Sequence, residues 1–438
     1  EDGIRDTSVT GVQTCALPIF GRLKLPDRLR GAFVEQVIDI LSSAGGPVRF
    51  VGGCIRDTIL GKEVRDIDIA TQEEPGNVMR LLENANIKVI PSGLTHGTVT
   101  AVLEGQVIEI TSLRKDIKTD GRRACVEFSQ DWHADAMRRD FTINALYCDS
   151  DGTLYDPVEG LEDIKAQRVR FIGNAKSRIS EDFLRILRFF RFFAWYGAAA
   201  PDHEALIACQ KASPNLKRIA GERLWRELSR LLLAPDPRRA LRLMSETGIF
   251  NSIFPDVCTT KLDAKSAFGM ARAEYGLGQR PEPIRRLAAL LYSACDQEQE
   301  LSFTVSKRLA HSNKEQDRLC NLLTLPIPVG GDFSIDQNRQ NFYLLDNSEA
   351  YSDILLLRQV LAGAEGPEWH DAFRIPWEYP PPKFPIGGAD VISMGMEAGP
   401  NVGQILKQLE DGWVKGNFVD SREILLEKLK TRLEIRSI

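Results

Sequence analysis

The chain has 438 residues, 43% of them hydrophobic and 27% charged, the composition of a soluble globular protein with room for roughly two to four domains. No apolar run reaches the ~18 residues a membrane helix needs, which excludes a membrane-spanning helix. The formal net charge of −5 argues against wholesale coating of nucleic acid, yet residues 161–242 alone carry 17 Lys and Arg against 9 Asp and Glu. That local excess points to a confined polyanion partner; the plainer alternative is a solvated helical face.

The eight cysteines (15, 54, 125, 148, 209, 258, 295 and 320) form no C-x-x-C pair and do not cluster with the five histidines. Zinc is not expected, and the pattern reads as buried thiols in a reducing compartment, by default the cytoplasm.

Residues 1–19 lack an amphipathic period and fit no signal peptide. They resemble translated sequencing-adaptor read-through, so poor packing is expected there and the native chain is expected to begin near Phe20 or a little upstream. Leu25 to Gly45 reads as a helix, with Phe33, Val34, Val37, Ile38 and Leu41 at helical spacing. The stretch RFVGGCIRDTILGKEVRDIDIAT, Arg49 to Thr71, organises the rest of the chain. In it a short apolar strand leads to the turn Gly52-Gly53 and to a helix opening at Ile55, Arg56 and Asp57. The chain returns on an alternating strand, Arg65 to Ala70. Alternation puts Asp66 and Asp68 on one face and Ile67 and Ile69 toward the core. Two carboxylates about 7 Å apart repel unless a cation lies between them, and hard oxygen ligands suit Mg²⁺ arriving with a triphosphate. The glycines let backbone N–H groups approach phosphate oxygens beside a helix N-terminus. Either feature alone is common: a D-x-D strand is often a solvated face, and a paired-glycine turn is commoner still.

Pro75 to Ala85 reads as a second helix, Ile87–Ile90 as a strand, and Thr98–Leu103 with Gln106–Ser112 as a strand pair. Glu109 shares a face with Val107 and Thr111, which makes it a third acid beside the aspartates or else a surface glutamate. Residues 114–135, polar and turn-rich around Asp120-Gly121, read as a mobile loop near the chemistry. The run Arg138-Arg139-Asp140-Phe141-Thr142-Ile143-Asn144 leads into a half-apolar helix. A strand and turn at Leu154-Tyr155-Asp156-Pro157 precede Gly160.

From Leu161 helices dominate. One is expected from Ser180, as N-cap, to Tyr196, with Glu181 and Asp182 in its first turn. Arg185, Arg188 and Arg191 recur at every third position as a cationic ridge, and Asp182 is placed to hold the Arg185 guanidinium. An ordinary ion-paired face is the alternative. Arg223 and Glu227 on the next helix read as structural. Punctuations fall at Pro235/Pro237, Pro281/Pro283 and Pro326–Gly331, a proline-rich connector at 376–385, and helices at about 402–415 and 420–435.

Together these motifs resemble the bacterial tRNA nucleotidyltransferase and poly(A) polymerase family, the class II branch of the polymerase-β-like nucleotidyltransferases. Five motifs occur in order: VGGCIRD with LGKEVRDIDIAT, RRDFTINAL, the region Asp156 to Gly160, EDFLRILRFFRF, and RIAGERLWREL, in which Ala220 replaces the usual serine. Poly(A) polymerases carry a basic R-F-containing stretch before the third strand, where SGLTHGTVTAV here looks like the CCA-adding type. KTDGRRACVEF resembles the flexible loop that CC-only enzymes shorten.

The resemblance implies an α+β fold: a nucleotidyltransferase head with a small mixed sheet, then an elongated all-α remainder. The expected division is a non-native segment at 1–19, the head at 20–160, a nucleotide-selecting neck at 161–255, a helical body at 256–375 and a tRNA-binding tail at 376–438. It further implies that Asp66 and Asp68 hold Mg²⁺, with Glu109 as third acid. Gly53 and Arg56 would contact the triphosphate, with Gly52 and Asp57 in the same nucleotide-binding set. Arg139, Asp140 and Asn144 match a motif for ribose and phosphate. Asp182 and Arg185 would offer an edge to CTP or ATP, with Arg188 and Arg191 adding phosphate or structural contacts. The implied reaction adds CMP, CMP and AMP to the 3′ end of tRNA and releases pyrophosphate. Poly(A) addition, CC-only or A-only addition, and a non-catalytic RNA- or nucleotide-binding relative are the alternatives.

Overall fold

The computed structural model describes residues 17, 19–119, 124–294, 298–324, 334–363 and 367–436. Residues 1–16 and 18, the Asp120-Gly121 turn, Cys15, Cys295 and the Pro326–Gly331 punctuation lie outside them. The chain divides into two compact units, residues 1–231 with 240–255, and residues 232–239 with 256–438.

The first unit opens with β1 (Ile19–Arg22), α1 (Ala32–Ser42), β2 (Val48–Val51), α2 (Gly53–Ile59), β3 (Asp68–Thr71) and α3 (Pro75–Asn84). It continues with β4 (Lys88–Gly93), β5 (Thr98–Leu103), β6 (Gln106–Ser112), β7 (Arg114–Thr119), β8 (Ala124–Phe128) and α4 (Trp132–Arg138). β9 (Tyr147–Cys148), β10 (Thr153–Tyr155), α5 (Gly160–Lys165), α6 (Ala175–Glu181) and α7 (Arg185–Tyr196) come next. α8 (His203–Ala212), α9 (Gly221–Leu232), α10 (Arg238–Glu246) and α11 (Ile249–Ile253) complete the series.

Eight strands form one mixed sheet in the order β1-β10-β9-β2-β3-β6-β5-β4. β3 runs antiparallel to β2 and parallel to β6, so two central strands present their residues side by side. Phe50, Val51, Ile69, Ala101, Ile108 and Ile110 are buried on these strands, and that burial fixes which way each pleat faces. The ladder of β3 begins at Asp68 rather than Arg65, although the Ile67 carbonyl still accepts the Glu109 N–H at 2.9 Å.

Four expectations change here. Leu17 is 5% exposed and packs among Val51, Tyr147 and Tyr155, so the end of the 1–19 segment is not poorly packed. The polar stretch from Arg114 is a β7–β8 hairpin followed by α4, which the Asp131 carboxylate caps through the N–H groups of His133 and Ala134, rather than one loop. The helix expected from Ser180 is two helices. Asp182 is extended (φ −153°, ψ 110°) and accepts the Leu184 N–H at 3.1 Å, so it ends α6 and opens α7, while Ser180 lies inside α6, capped by Asn174. Pro376 and Trp377 belong to a helix and shorten the connector.

α7 packs Phe189, Phe190, Phe192 and Phe193 inward, with Phe189 and Phe192 against Phe141 and Phe189 stacked on Phe171. Its arginine face is tied down by carboxylates. Asp140, 8% exposed, takes the Phe141 N–H at 2.9 Å, the Asn144 amide at 3.1 Å and Arg188 Nε at 2.6 Å. Buried Glu227 on α9 takes Arg191 Nε at 2.7 Å and lies 3.7 Å from Arg188. A buried ion pair holds only where its remaining hydrogen bonds are also made, and three donors meet the Asp140 carboxylate.

The second unit is helical: α12 (Ala264–Gly276), α13 (Pro283–Leu291), α14 (Glu298–Leu309), α15 (Asn313–Thr324), α16 (Ile335–Leu345) and α17 (Ser348–Ala362). α18 (Pro367–Glu378), α19 (Gly388–Ser393), α20 (Pro400–Lys415) and α21 (Arg422–Arg436) complete it. Its interior holds an ion network. Glu274 accepts from Arg286 at 2.9 Å and lies 3.4 Å from Arg285, while Asp353 accepts from Arg285 and Arg318, each at 2.6 Å. Around Trp413, Val391, Ile405, Leu409, Leu425 and Leu429 form a separate apolar cluster. No described helix is long and apolar enough to cross a membrane. Of the five described free thiols, Cys54, Cys148 and Cys209 are buried, whereas Cys258 is exposed.

Both ion networks can be weighed by substitution. Burial alone would raise the Asp140 carboxyl, but Arg188 and Asn144 bring it down to about 2. A native value below the ordinary ~4 stabilises the fold above pH ~4, and this stabilisation is lost as pH falls through about 2. Asp140→Asn should therefore cost about 2–3 kcal/mol at neutral pH, a deficit that shrinks in denaturant melts taken toward pH 2. Glu274→Ala leaves the buried Arg286 guanidinium without its acid, while Arg285 keeps Asp353, and should lower the stability of the helical unit by about 3 kcal/mol, read from a denaturant transition followed by tryptophan fluorescence.

Candidate active site

The site begins at the end of β2. Gly52 has φ 75° and ψ −126°, a conformation side chains rarely adopt, and a Cβ there would stand 3.7 Å from Arg139 Nη1 and 3.8 Å from Asp68 Oδ2. Glycine therefore leaves open the space between a cation and an acid. α2, starting at the next residue, spans only seven residues. Its Arg56 is buried and clamped: Nε and Nη2 donate to the two oxygens of Asp57 at 2.9 Å, Nη1 to Asn144 at 2.6 Å, and Nη2 to the Tyr196 hydroxyl at 2.7 Å. The Tyr196 ring lies 4.1 Å from the guanidinium carbon, and its hydroxyl donates to Asp57 at 3.1 Å. Four of the five guanidinium N–H groups are thus engaged, and one remains on Nη1.

Asp68 opens β3 half-buried, in register with Glu109 on the parallel β6, while Asp66 and Glu109 are exposed. Burial, then the charge of Glu109 and to a smaller extent that of Asp66, push the Asp68 carboxyl up to about 6, with Arg139 pulling the other way. Three acids close enough to repel one another form a donor set of hard oxygens. Among the described residues, no three His, Cys, Asp or Glu side chains close into a ready-made metal cage.

Asp68 lines a cleft of about 480 Å³ with Gly52, Gly53, Arg56, Arg139, Asp140, Asn144, Asp182, Arg185, Arg188 and Arg191. These sequence candidates come together. Asp66, Glu109 and Asp57 are not part of its wall; both oxygens of Asp57 are spent on Arg56. The Asp182–Arg185 contact expected from spacing is not made. Asp182 instead pairs with Arg223 at 2.8 Å, and Arg185 pairs with Glu181 and donates to the Arg178 carbonyl at 2.8 Å. The break at Asp182 turns its carboxylate toward α9 and brings Glu181 within reach of Arg185.

The wall also holds Arg138, Arg223, Arg226 and Glu227, of which Arg223 and Glu227 read as merely structural from pattern alone. Asp135, fully buried on α4, holds Arg138 at 2.7 Å, Arg139 at 3.1 Å and the Tyr147 hydroxyl at 2.8 Å. Its burial between two adjacent arginines is an i,i+3 and i,i+4 arrangement that helical spacing could have revealed.

The model of the Poly A polymerase head domain matches residues 48–170, and that of the probable RNA and SrmB-binding site of polymerase A matches residues 200–260. The chain is 34% identical over 387 residues to the mitochondrial CCA tRNA nucleotidyltransferase 1 of Danio rerio, covering 87% of this chain and 86% of that one. It is 33% identical over 416 residues to the CCA-adding enzyme of Geobacillus stearothermophilus, covering 90% and 96%. The crystal structure of the Bacillus stearothermophilus CCA-adding enzyme in complex with CTP superposes with a TM-score of 0.77 at 28% identity, covering 94% of this chain and 99% of that one. With a mixed sheet carrying the acid, an arginine-lined cleft and relatives that share nearly its whole length, the chain belongs to the CCA-adding enzyme family, the CCA tRNA nucleotidyltransferases.

Proposed function

We propose that the protein adds CMP, CMP and AMP in turn, from CTP and ATP, to the 3′ end of tRNA. The observation that carries this reading is Asp68, a crowded carboxylate at the edge of an arginine-lined cleft, facing the open space above Gly52. The 3′-hydroxyl attacks the α-phosphorus, the bond to the bridging oxygen breaks, and pyrophosphate leaves with the electron pair.

Asp68 and Asp66 are suited to a divalent cation, Mg²⁺ by its preference for hard oxygens, with Glu109 as the third acid beside them. Such an ion supplies charge neutralisation at the attacking and leaving oxygens. Gly52 and Gly53 let the backbone approach the phosphates, and Arg56 and Arg139 lower the cost of their negative charge. Asn144 and Asp140 act through others: Asn144 aims Arg56, and Asp140 aims Arg188.

Base choice without a nucleic-acid template requires a fixed donor and acceptor pattern on the protein. Asp182 supplies the acceptors and Arg185 the donors, the latter oriented by Glu181 rather than by Asp182. Arg223 orients the Asp182 carboxylate. The five thiols that are free among the described residues support a reducing compartment, the cytoplasm.

The deciding assay combines purified protein, a tRNA lacking its 3′ end, and CTP and ATP alone or together. CTP alone should extend by two residues and both together by three. Long tails from ATP alone would name a poly(A) polymerase, and no extension would overturn the reading. Asp68→Asn should lower incorporation by at least about 10²–10³-fold with an unchanged thermal melt. Asp182→Ala should relax the preference for CTP and ATP over GTP and UTP by about 1–3 kcal/mol, while tRNA affinity measured by filter binding stays put; retained selectivity would place base reading elsewhere.

A further inference from the structure

Eight arginines line the cleft against four carboxylates, Asp68, Asp140, Asp182 and Glu227. Seven of the eight are committed. Arg138 and Arg139 share Asp135, Arg56 is bound by Asp57, and Arg185 by Glu181. Arg188 has Asp140, Arg191 has Glu227, and Arg223 has Asp182. An arginine held this way positions or neutralises, but an arriving anion has to compete with its partner. Arg226 differs: it is exposed on α9, lines the same cleft, and its guanidinium has no hydrogen bond or ion pair among the described residues.

We propose that Arg226 is a ligand-contact residue, the guanidinium that takes a phosphate oxygen of the incoming substrate by a charge-assisted, bidentate hydrogen bond. The inference deepens the function proposed above and rests on it. Charge decides it. Every other arginine in the wall is bound to an acid, Arg138 and Arg139 to the same one, while Asp68 is crowded by acids of its own. Arg226 is the one guanidinium of the wall with no acid partner among the described residues, and solvent is its only competitor. Arg226 lies three residues from Arg223 and one from Glu227 on the same helix, so its backbone is anchored by two ion pairs while its side chain stays free. An anchored backbone sets where the head group can reach, and having no partner to displace offsets the cost of ordering a long side chain. The shared ligand chemistry is a phosphate oxygen, either from the triphosphate or from the backbone near the 3′ end of the RNA.

The test is equilibrium binding of CTP, of ATP and of tRNA lacking its 3′ end to the full chain and to three variants, with KM for each substrate beside it. Arg226→Gln should weaken one of the two ligand types about ten-fold, the worth of one charge-assisted contact, and flatten its salt dependence. A weakened nucleotide arm assigns the contact to the triphosphate, and a weakened tRNA arm assigns it to the RNA backbone. Arg226→Lys should recover part of the loss, since a point charge replaces the fork. Arg230→Gln removes the same charge from the same helix at a position outside the cleft wall and should change neither arm. The proposal is overturned if Arg226→Gln leaves both arms within two-fold of wild type, or if Arg230→Gln reproduces the loss. Wild-type protein that binds nucleotide and tRNA but fails to extend the RNA would sink the proposed function instead, so the two failures are separable.

Discussion

One series of hydrogen bonds and ion pairs ties the sheet of the first unit to its helices. It runs from Arg56 on α2 to Asn144, from Asn144 to Asp140, from Asp140 to Arg188 on α7, and through Glu227 on α9 to Arg191. Each link is largely removed from water, where an unpaired charge costs several kcal/mol and a satisfied one contributes mainly geometry. The sheet, α7 and α9 are therefore favoured in the arrangement in which every member of the series finds its partner. The aromatic layer of Phe141, Phe171, Phe189 and Phe192 beneath supplies apolar burial but little direction.

This constraint also explains the character of the cleft. Arginines placed in a wall without partners would repel one another and favour disorder. Matched to carboxylates on neighbouring elements, they become a rigid cationic surface whose donors are already aimed. The acid at the other end is treated in the opposite way: Asp68 is half-buried beside Glu109 and Asp66, and Arg139 and Arg56 compensate only in part. The site thus combines one crowded negative group, Asp68, with one solvated positive group, Arg226.

Much of this is legible in the amino-acid sequence. The alternation of Asp66-Ile67-Asp68-Ile69 fixes which side chains face the core, and the side-by-side placement of Asp68 and Glu109 comes about once β6 is parallel to β3. The strands Thr98–Leu103 and Gln106–Ser112 and the first turn of α3 are readable from period and punctuation. Long-range pairing is not. Spacing on one helix suggests Asp182 with Arg185, but the chain breaks at Asp182 and its partner is 41 residues away. Arg223 and Glu227 look like a brace because their roles depend on which face of α9 meets α7, which helical periodicity alone does not specify. The hairpin of β7 and β8 is hidden by its charge, since polar strands carry a weak apolar alternation. Leu17 defies its surroundings, which read as foreign, because its burial depends only on an apolar side chain meeting a gap beside Tyr155.

Tyr196 gives α7 a second property. The helix is pinned at both extremities, by Arg185 to Glu181 at its start and by the Tyr196 hydroxyl to Arg56 and Asp57 at its finish. Twelve residues at 1.5 Å each make a rod of about 18 Å. Because an α-helix neither stretches nor shortens without breaking its own ladder, that rod acts as a gauge, holding the two extremities of the cleft at a set span whatever lies between them.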